Sequence, residues 1–199
     1  ANQKAVQLAP QDTEAHYNLA NALHELGRLE EAEASYAKAI ALEPGYCDAH
    51  YSLSNMLAAI GRLEEAIAGY KQTIVLEPDH ALAHYNLGNT LKKLGRLEEA
   101  EASYRQTIKL KPEFAEAQSN LGNTLQELNR LEEAEANHRI TIDLKPGFAE
   151  GHNNLGSALR ELGKLEEAEI HFRQAIALKP NFANAHSGLG ITLNSKGNR

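Results

Sequence analysis

The chain of 199 residues lacks the features that mark several protein classes. Cys47 is its one cysteine, which excludes an internal disulfide framework and a thiolate-rich zinc site. No apolar run approaches the ~18 residues that a membrane-spanning helix needs. No charged start followed by an apolar stretch marks a signal peptide. These absences favour a cytoplasmic location.

Positive charge is also in deficit. There are 20 Lys and Arg against 27 Asp and Glu, a formal net charge of −7. Nucleic-acid binding needs a basic footprint, so we expect no nucleic-acid partner. No Gly-rich phosphate loop, catalytic triad or paired-carboxylate cleft stands in the sequence. The histidines lack metal-ligand spacing. We therefore predict no enzyme, no cofactor and no metal.

Proline is scarce but regular, and its spacing divides the chain. The six prolines stand 34 residues apart, at Pro10, Pro44, Pro78, Pro112, Pro146 and Pro180. Glycine keeps the same period at Gly27, Gly61, Gly95, Gly163 and Gly197, with Asn129 in the remaining slot. A fixed period of this length indicates a repeat architecture. We predict one array over residues 1–199, with full repeats at 13–46, 47–80, 81–114, 115–148 and 149–182. Residues 1–12 would end a preceding repeat, and 183–199 would form the first helix of a further one.

Each repeat predicts two antiparallel helices. Leu19, Leu23 and Leu26 form one helical stripe. Gly27 follows where a helix end requires positive φ, and asparagine is the best substitute for glycine there. Pro44 ends the second helix because the residue before a proline avoids the α conformation. Such a pair cannot bury its stripe alone and must stack on its neighbours.

Small residues in the first helix face large rings in the second. The small ones are Ala20, Ser54, Gly88, Gly122, Gly156 and Gly190, and the rings are Tyr36, Tyr70, Tyr104, His138 and Phe172. This pairing predicts a close approach of the two helices. At His138 and at His80, where a polar ring replaces an aromatic one, we expect weaker packing.

The segment "HYNLANALHELGRLEEAEASYAKAIALEP" closely resembles the tetratricopeptide repeat (TPR). The resemblance covers the whole chain and implies an all-α fold, a right-handed α-solenoid superhelix whose first helices line a concave groove. It also implies a non-catalytic scaffold that binds protein segments. His16, His50, His84 and His152 stand where the family often has tryptophan. The lysine and arginine clamp of chaperone-tail-binding repeats is missing from the matching positions.

A narrower resemblance connects the chain to the TPR superhelix of O-GlcNAc transferase-like proteins. It rests on "SNLGNTL" first helices, "GRLEEA" turns and "PEFAEA" junctions. In that family an asparagine ladder along the groove holds the backbone of a substrate peptide. The matching positions, the sixth of each repeat, are Asn18, Asn86, Asn120 and Asn154, with Ser52 and Gly188 interrupting. The catalytic domain of the transferases is absent from these residues.

A second amide row occupies the ninth position of each repeat, at Asn21, Asn55, Asn89, Asn123 and Ser157. Asparagine is a middling helix former, so repeating it inside helices needs a reason. Neighbouring helices lie ~8–10 Å apart and an extended peptide rises ~3.3 Å per residue. One repeat therefore advances about three ligand residues, and the amides could grip every third peptide unit. Alternatively, the amides bond one another and only orient the stack.

We therefore predict a protein-interaction scaffold that binds an extended peptide or partner protein in its groove. The candidate contacts are Asn18, Asn21, Asn55, Asn86, Asn89, Asn120, Asn123, Asn154, Tyr17, Tyr51, Tyr85, Lys92 and Lys93. Two alternatives stay open. One is the substrate-recognition arm of a glycosyltransferase. The other is a self-assembling or engineered array, associating end to end through residues 1–12 and 183–199.

Overall fold

Eleven α-helices make up the regular structure that the computed structural model describes, which covers residue 6 and residues 9–197. They are α1 Thr13–Glu25, α2 Leu29–Leu42, α3 Cys47–Ala59, α4 Leu63–Leu76, α5 Ala81–Lys93, α6 Leu97–Leu110, α7 Ala115–Glu127, α8 Leu131–Leu144, α9 Ala149–Glu161, α10 Leu165–Leu178 and α11 Ala183–Gly197. These residues contain no β-strand, which confirms the all-α class. None of the described helices is long and apolar enough to cross a bilayer.

The chain divides into two packed units, residues 1–95 and residues 96–199. In the first unit, α1 packs on α2, α3 on α4, and α4 on α5. In the second, α7 pairs with α8 and α9 with α10, while α11 packs on α10. The division falls inside the predicted repeat 81–114, so a single array over the whole chain stays a prediction.

In the turns between paired helices, the second residue after the first helix has positive φ and is glycine or asparagine. Gly27 has φ +72° and Gly163 has φ +75°. After Gly27, the Arg28 N–H donates to Leu23 O at 2.9 Å, which closes a Schellman motif and satisfies the last carbonyls of α1. Asn129 takes the same conformation with φ +59°, as predicted. Leu26 differs from its prediction: α1 ends at Glu25, so Leu26 lies beyond the last turn and is 71% exposed.

The two helices of a hairpin can approach closely because the small residues have little or no side chain. A Cβ on Gly122 would lie 2.5 Å from His138 Cε1, and one on Gly156 would lie 3.1 Å from Phe172 Cδ1. These contacts confirm the predicted pairing of small residue and ring in the fourth and fifth repeats. The ring of His138 is fully buried rather than loosely packed, because Gly122 leaves room for it. His80 instead is the N-cap residue of α5, and its Nδ1 accepts from Ala83 N at 3.1 Å.

Histidines join the repeats at their junctions. The Nε2 of His50 donates to Pro44 O at 3.0 Å, six residues back. The same bond recurs from His16 to Pro10, His84 to Pro78, His152 to Pro146 and His186 to Pro180. Each bond gives a hydrogen-bond partner to the carbonyl of the proline in the turn that precedes a first helix. These histidines therefore stabilise the backbone at the junctions. The described residues hold no group of three or more potential metal ligands.

Ion pairs add further links between successive hairpins on the outer surface. In the first unit, Arg62 donates to Glu33 of the preceding hairpin at 2.5 Å and also to Glu65 of its own hairpin at 2.6 Å. In the second, Lys164 donates to Glu135 at 2.7 Å. Burial alone would raise the pKa of Glu135, but the hydrogen bonds from Lys164 and Arg139 outweigh it and hold that pKa below its usual value. Several of the acidic side chains are thus paired with the protein's own cations.

Replacing Asn129 tests the turn conformation. Because positive φ is costly for a residue with a Cβ and free for glycine, we expect Asn129→Gly to exceed Asn129→Ala in free energy of unfolding by about 1 kcal/mol. Urea unfolding of the two variants beside the unsubstituted chain measures the difference. Equal stability would mean that this turn does not hold residue 129 at positive φ.

Candidate functional site

The groove face is the surface formed by the second, fifth, sixth, ninth, twelfth and thirteenth positions of the first helices. In the first unit these helices are α1, α3 and α5, and in the second α7, α9 and α11. All thirteen predicted contact residues keep part of their surface accessible in the structure. Asn18 and Lys93 are exposed, and the others are partly buried: Tyr17, Asn21, Tyr51, Asn55, Tyr85, Asn86, Asn89, Lys92, Asn120, Asn123 and Asn154.

Buried tyrosines of the second helices reach the ninth-position amides of the first unit. The hydroxyl of Tyr36 donates to Asn21 Oδ1 at 2.5 Å. The hydroxyl of Tyr70 donates to Asn55 Oδ1 at 2.7 Å. Both rings are almost fully buried, 1% and 2% exposed, so these hydroxyls need a partner and each finds it at the base of the groove face.

The two amide rows of the first unit also meet each other. Asn86 Nδ2 donates to Asn55 Oδ1 at 2.9 Å and to the hydroxyl of Tyr51 at 3.0 Å. The sixth position of one repeat therefore bonds the fifth and ninth positions of the repeat before it. Ser52, at the sixth position of its own repeat, approaches the hydroxyl of Tyr17 at 3.4 Å in the same way.

These bonds determine which way the ninth-position carboxamides point. Asn55 Oδ1 accepts from two donors, so its oxygen must be the inner atom and its nitrogen the outer one. Asn21 is oriented alike by Tyr36. Among the described residues, neither Asn21 Nδ2 nor Asn55 Nδ2 has a hydrogen-bond partner. The groove face of the first unit thus presents amide N–H groups outward.

Aromatic rings flank these amides. The ring centroid of Tyr17 lies 6.1 Å from that of Tyr36 and 5.2 Å from that of Tyr46, the latter edge-on. The Tyr51 ring lies 4.7 Å from the ring of His80. Burial raises the pKa of Tyr36 to about 12, so its hydroxyl keeps the proton that it donates to Asn21. The rings supply apolar surface beside the outward donors.

The groove face of the second unit has looser amide contacts. Asn154 Nδ2 donates to Ser119 Oγ at 3.4 Å, and Asn153 Nδ2 donates to Asn154 Oδ1 at 3.3 Å. Gln126 Nε2 reaches Ser157 Oγ at 3.2 Å and also contacts Glu161. Asn154 is therefore joined to its neighbours, but no described tyrosine donates its hydroxyl to it.

Tyr36 and Tyr70 are residues of the candidate site that sequence reasoning missed. The sequence predicted them as packing rings and gave no reason to connect them to the asparagines 15 residues earlier. One signal was present. Tyrosine recurs at this position where phenylalanine would pack equally well, which indicates that the hydroxyl has a partner.

Cys47 keeps its thiol proton at neutral pH. Burial, with the nearby Glu77 adding to it, raises the pKa of its thiol to about 12. Its Sγ lies 3.9 Å from Thr73 O, to which the thiol donates. The protonated thiol is a weak nucleophile, and the side chain fills space between helices.

Tyr70→Phe tests whether the tyrosine hydroxyl holds the ninth-position amide of Asn55 in place. The fifth repeat carries Phe172 at the matching position, so the ring is expected to fit. Loss of the bond to Asn55 should lower the free energy of unfolding by about 0.5–1.5 kcal/mol. Urea unfolding measures this, and the side-chain amide signals of Asn55 should broaden in NMR spectra. A variant of unchanged stability with unchanged Asn55 signals would contradict the bond.

Comparison with known proteins agrees with the repeated helical hairpins. The family model described as "TPR repeat" matches residues 54–95 and 156–197, and models described as "Tetratricopeptide repeat" match 13–46, 81–114 and 114–143. No curated protein sequence matches the chain.

Among solved structures, the chain is similar to YrrB, described as a TPR protein with an unusual peptide-binding site. The identity is 25%, the TM-score is 0.83, and the match covers 94% of this chain and 96% of that one. MamA is similar at 24% identity with a TM-score of 0.80, over 86% of this chain and 93% of that one. The first TPR of Spaghetti (RPAP3), bound to the HSP90 peptide SRMEEVD, is similar at 24% identity with a TM-score of 0.58, over 59% of this chain and 93% of that one. The repeated helical hairpins and the family matches, which together span most of the sequence, show that this chain belongs to the tetratricopeptide-repeat family, whose members generally serve as non-catalytic protein-interaction scaffolds.

Proposed function

We propose that the groove face binds an extended segment of a partner protein through the backbone of that segment. The observation that carries the proposal is the orientation of Asn21 and Asn55. Each oxygen is occupied by a buried tyrosine hydroxyl, and each Nδ2 points outward without a partner among the described residues.

Backbone carbonyls are the complement of these outward donors. An extended chain presents carbonyl groups at regular spacing whatever its sequence, with a rise of ~3.3 Å per residue. First helices one repeat apart are ~8–10 Å apart, so successive donors match about every third residue of the ligand. The rings of Tyr17 and Tyr51 add apolar contact to the same segment.

Two of the similar structures are described with peptides. YrrB is described with a peptide-binding site, and the RPAP3 repeat was solved with a bound peptide. The likeness to RPAP3 concerns the fold, and the comparison supports a peptide as the class of ligand without identifying it.

The competing structural interpretation accounts for only part of the amides. Asn86 uses its Nδ2 on Tyr51 and Asn55, so it serves the stack directly. We assign such sixth-position amides in the first unit to support and the ninth-position amides to ligand contact. The glycosyltransferase arm remains an alternative, since a peptide substrate would meet the same donors.

Asn21→Asp and Asn55→Asp separate the two roles. Each carboxylate keeps an oxygen for the tyrosine hydroxyl but replaces the outward N–H group with an acceptor. We expect unchanged helicity and unfolding, with peptide affinity weakened about 2–10-fold for each variant. The probe is a 12-residue peptide selected from a random displayed library on the full chain, and fluorescence polarisation gives its Kd.

Asn181→Asp is the matched control, because it adds the same charge at an exposed position of the junction after Pro180. It should leave the Kd unchanged. The proposal is wrong if the library yields no binder, or if both groove variants bind the selected peptide as tightly as the control does. Replacing Asn86, Asn89, Asn120 and Asn123 with alanine is a blunter test, since the Asn86 change also removes the bonds to Tyr51 and Asn55.

A second proposal concerns the end of the second unit. Gly190 has open space where Gly122 and Gly156 face a ring, and Leu193 of the same helix is 42% exposed. We propose that a second copy of this chain covers this face, with its residues 1–12 as the counterpart. Val6 of that segment is partly buried, and Leu8 lies outside the described residues.

Light scattering over a concentration series tests the association. The average mass should rise with concentration, and Leu193→Gln should suppress the rise. Val75→Gln is the control, since Val75 is also exposed, at 72%, but lies far along the chain from α11. A concentration-independent monomer mass would exclude the association.

A further inference from the structure

A cavity of about 290 Å³ opens on the groove face of the second unit, between α9 and α11. Its lining comprises Asn153, Ser157, Arg160, Phe172, Asn184, Ser187, Gly188 and Ile191. All of these except Phe172 occupy groove-face positions of the first helices. The cavity is thus part of the surface to which the peptide is assigned.

The cavity exists because three positions of the amide network are truncated here. In the first unit the matching positions hold Asn86, Asn55 and Tyr70, joined by hydrogen bonds. In the second unit they hold Gly188, Ser157 and Phe172. The missing side chains leave a hole that has the Phe172 ring at its base.

This hole is built into the packing. A Cβ on Gly188 would lie 2.5 Å from Phe172 Cζ, so the two residues fit only as a pair. Phe172 is 2% exposed and belongs to a core with Leu155, Leu159 and Ala185. The shape of the base is therefore determined by the core and does not depend on a mobile loop.

Arg160 brings to this hole a positive charge that has no ion-pair partner among the described residues. Its guanidinium makes no ion pair or hydrogen bond with any described residue. The nearest acid along the helix, Glu161, is engaged by Gln126 and by the Ser157 hydroxyl. By contrast, Arg130, Arg139 and Arg173 of the same unit all pair with glutamates.

We propose that this cavity is a subsite for a carboxylate carried by the bound peptide, with Arg160 as the cation and the amides of Asn153 and Asn184 as further donors. The proposal rests on the proposed peptide-binding function and adds a preference for sequence to it. The second unit would then select ligands by their sequence, whereas the first unit binds the ligand backbone.

The chemistry of the lining favours a carboxylate. A guanidinium offers paired N–H donors whose fork matches the two oxygens of a carboxylate. The asparagine side chains and the Ser187 hydroxyl can donate as well. The ring at the base gives an apolar wall for the methylene groups of an acidic side chain.

The first experiment uses two small probes, N-acetyl-glutamate N-methylamide and its glutamine counterpart, titrated into the isotopically labelled full chain. We expect saturable NMR shifts with the glutamate probe, at the backbone amides of Ser157, Asn184 and Gly188. The glutamine probe should bind about tenfold more weakly, the equivalent of one charge-assisted hydrogen bond. N-acetyl-glycine, a free terminal carboxylate, shows whether a chain end binds better than a side chain.

Two variants and a control locate the response. Arg160→Gln should reduce the affinity for the glutamate probe about tenfold, and Ser157→Asn should block the cavity while leaving Arg160 in place. Lys109→Gln removes the same charge from an exposed position of α6 and should change nothing. Circular dichroism confirms that each variant is folded.

The outcomes separate this proposal from the one on which it rests. The subsite is wrong if the two probes bind alike, if the shifts fall outside the lining, or if Arg160→Gln binds the glutamate probe normally. Should the library peptide bind with no such effects, peptide binding stands and the subsite falls. Glutamate-selective shifts in a chain that selects no peptide would support the subsite and overturn the proposed function.

Discussion

The contact between a small residue of the first helix and a ring of the second supports the rest of the structure. It brings the two helices of a hairpin close enough to bury the stripe of leucines and alanines that neither could bury alone. In the first unit the ring is a tyrosine, and burying it carries its hydroxyl through the core to the far side of the first helix. There the hydroxyl meets an asparagine and orients the amide. The direction of a surface group is therefore decided by core packing.

Much of this fold could be predicted from the sequence, because it depends on local rules that repeat. The proline and glycine period, the leucine spacing and the positive φ of Asn129 all follow from backbone chemistry within one hairpin. Leu26 was misplaced because helix ends depend on a single cap residue, which periodicity alone does not locate. The family models match the repeats that we predicted because the models and our prediction depend on the same positions of the sequence.

The candidate site was predictable in position but not in detail. The sequence indicated that the asparagines share a face, and the structure places all of them at least partly in solvent. Which amide atom points outward depends on distances between helices that no spacing rule supplies. Asn55 is oriented by residues 15 and 31 positions later in the chain. Likewise, the cavity beside Arg160 appears only when the truncated positions of two helices are seen together.

The junction histidines have a consequence for how such a chain can change in length. Each histidine ring donates a hydrogen bond to the carbonyl of the proline six residues earlier, across a tight turn. Adding or deleting one residue within that turn would rotate the next helix and break the bond, so small insertions are disfavoured there. Recombination that exchanges a whole cassette of 34 residues leaves every junction intact. If the chain changed in length only by whole repeats of 34 residues, the six prolines would keep the regular spacing that they have.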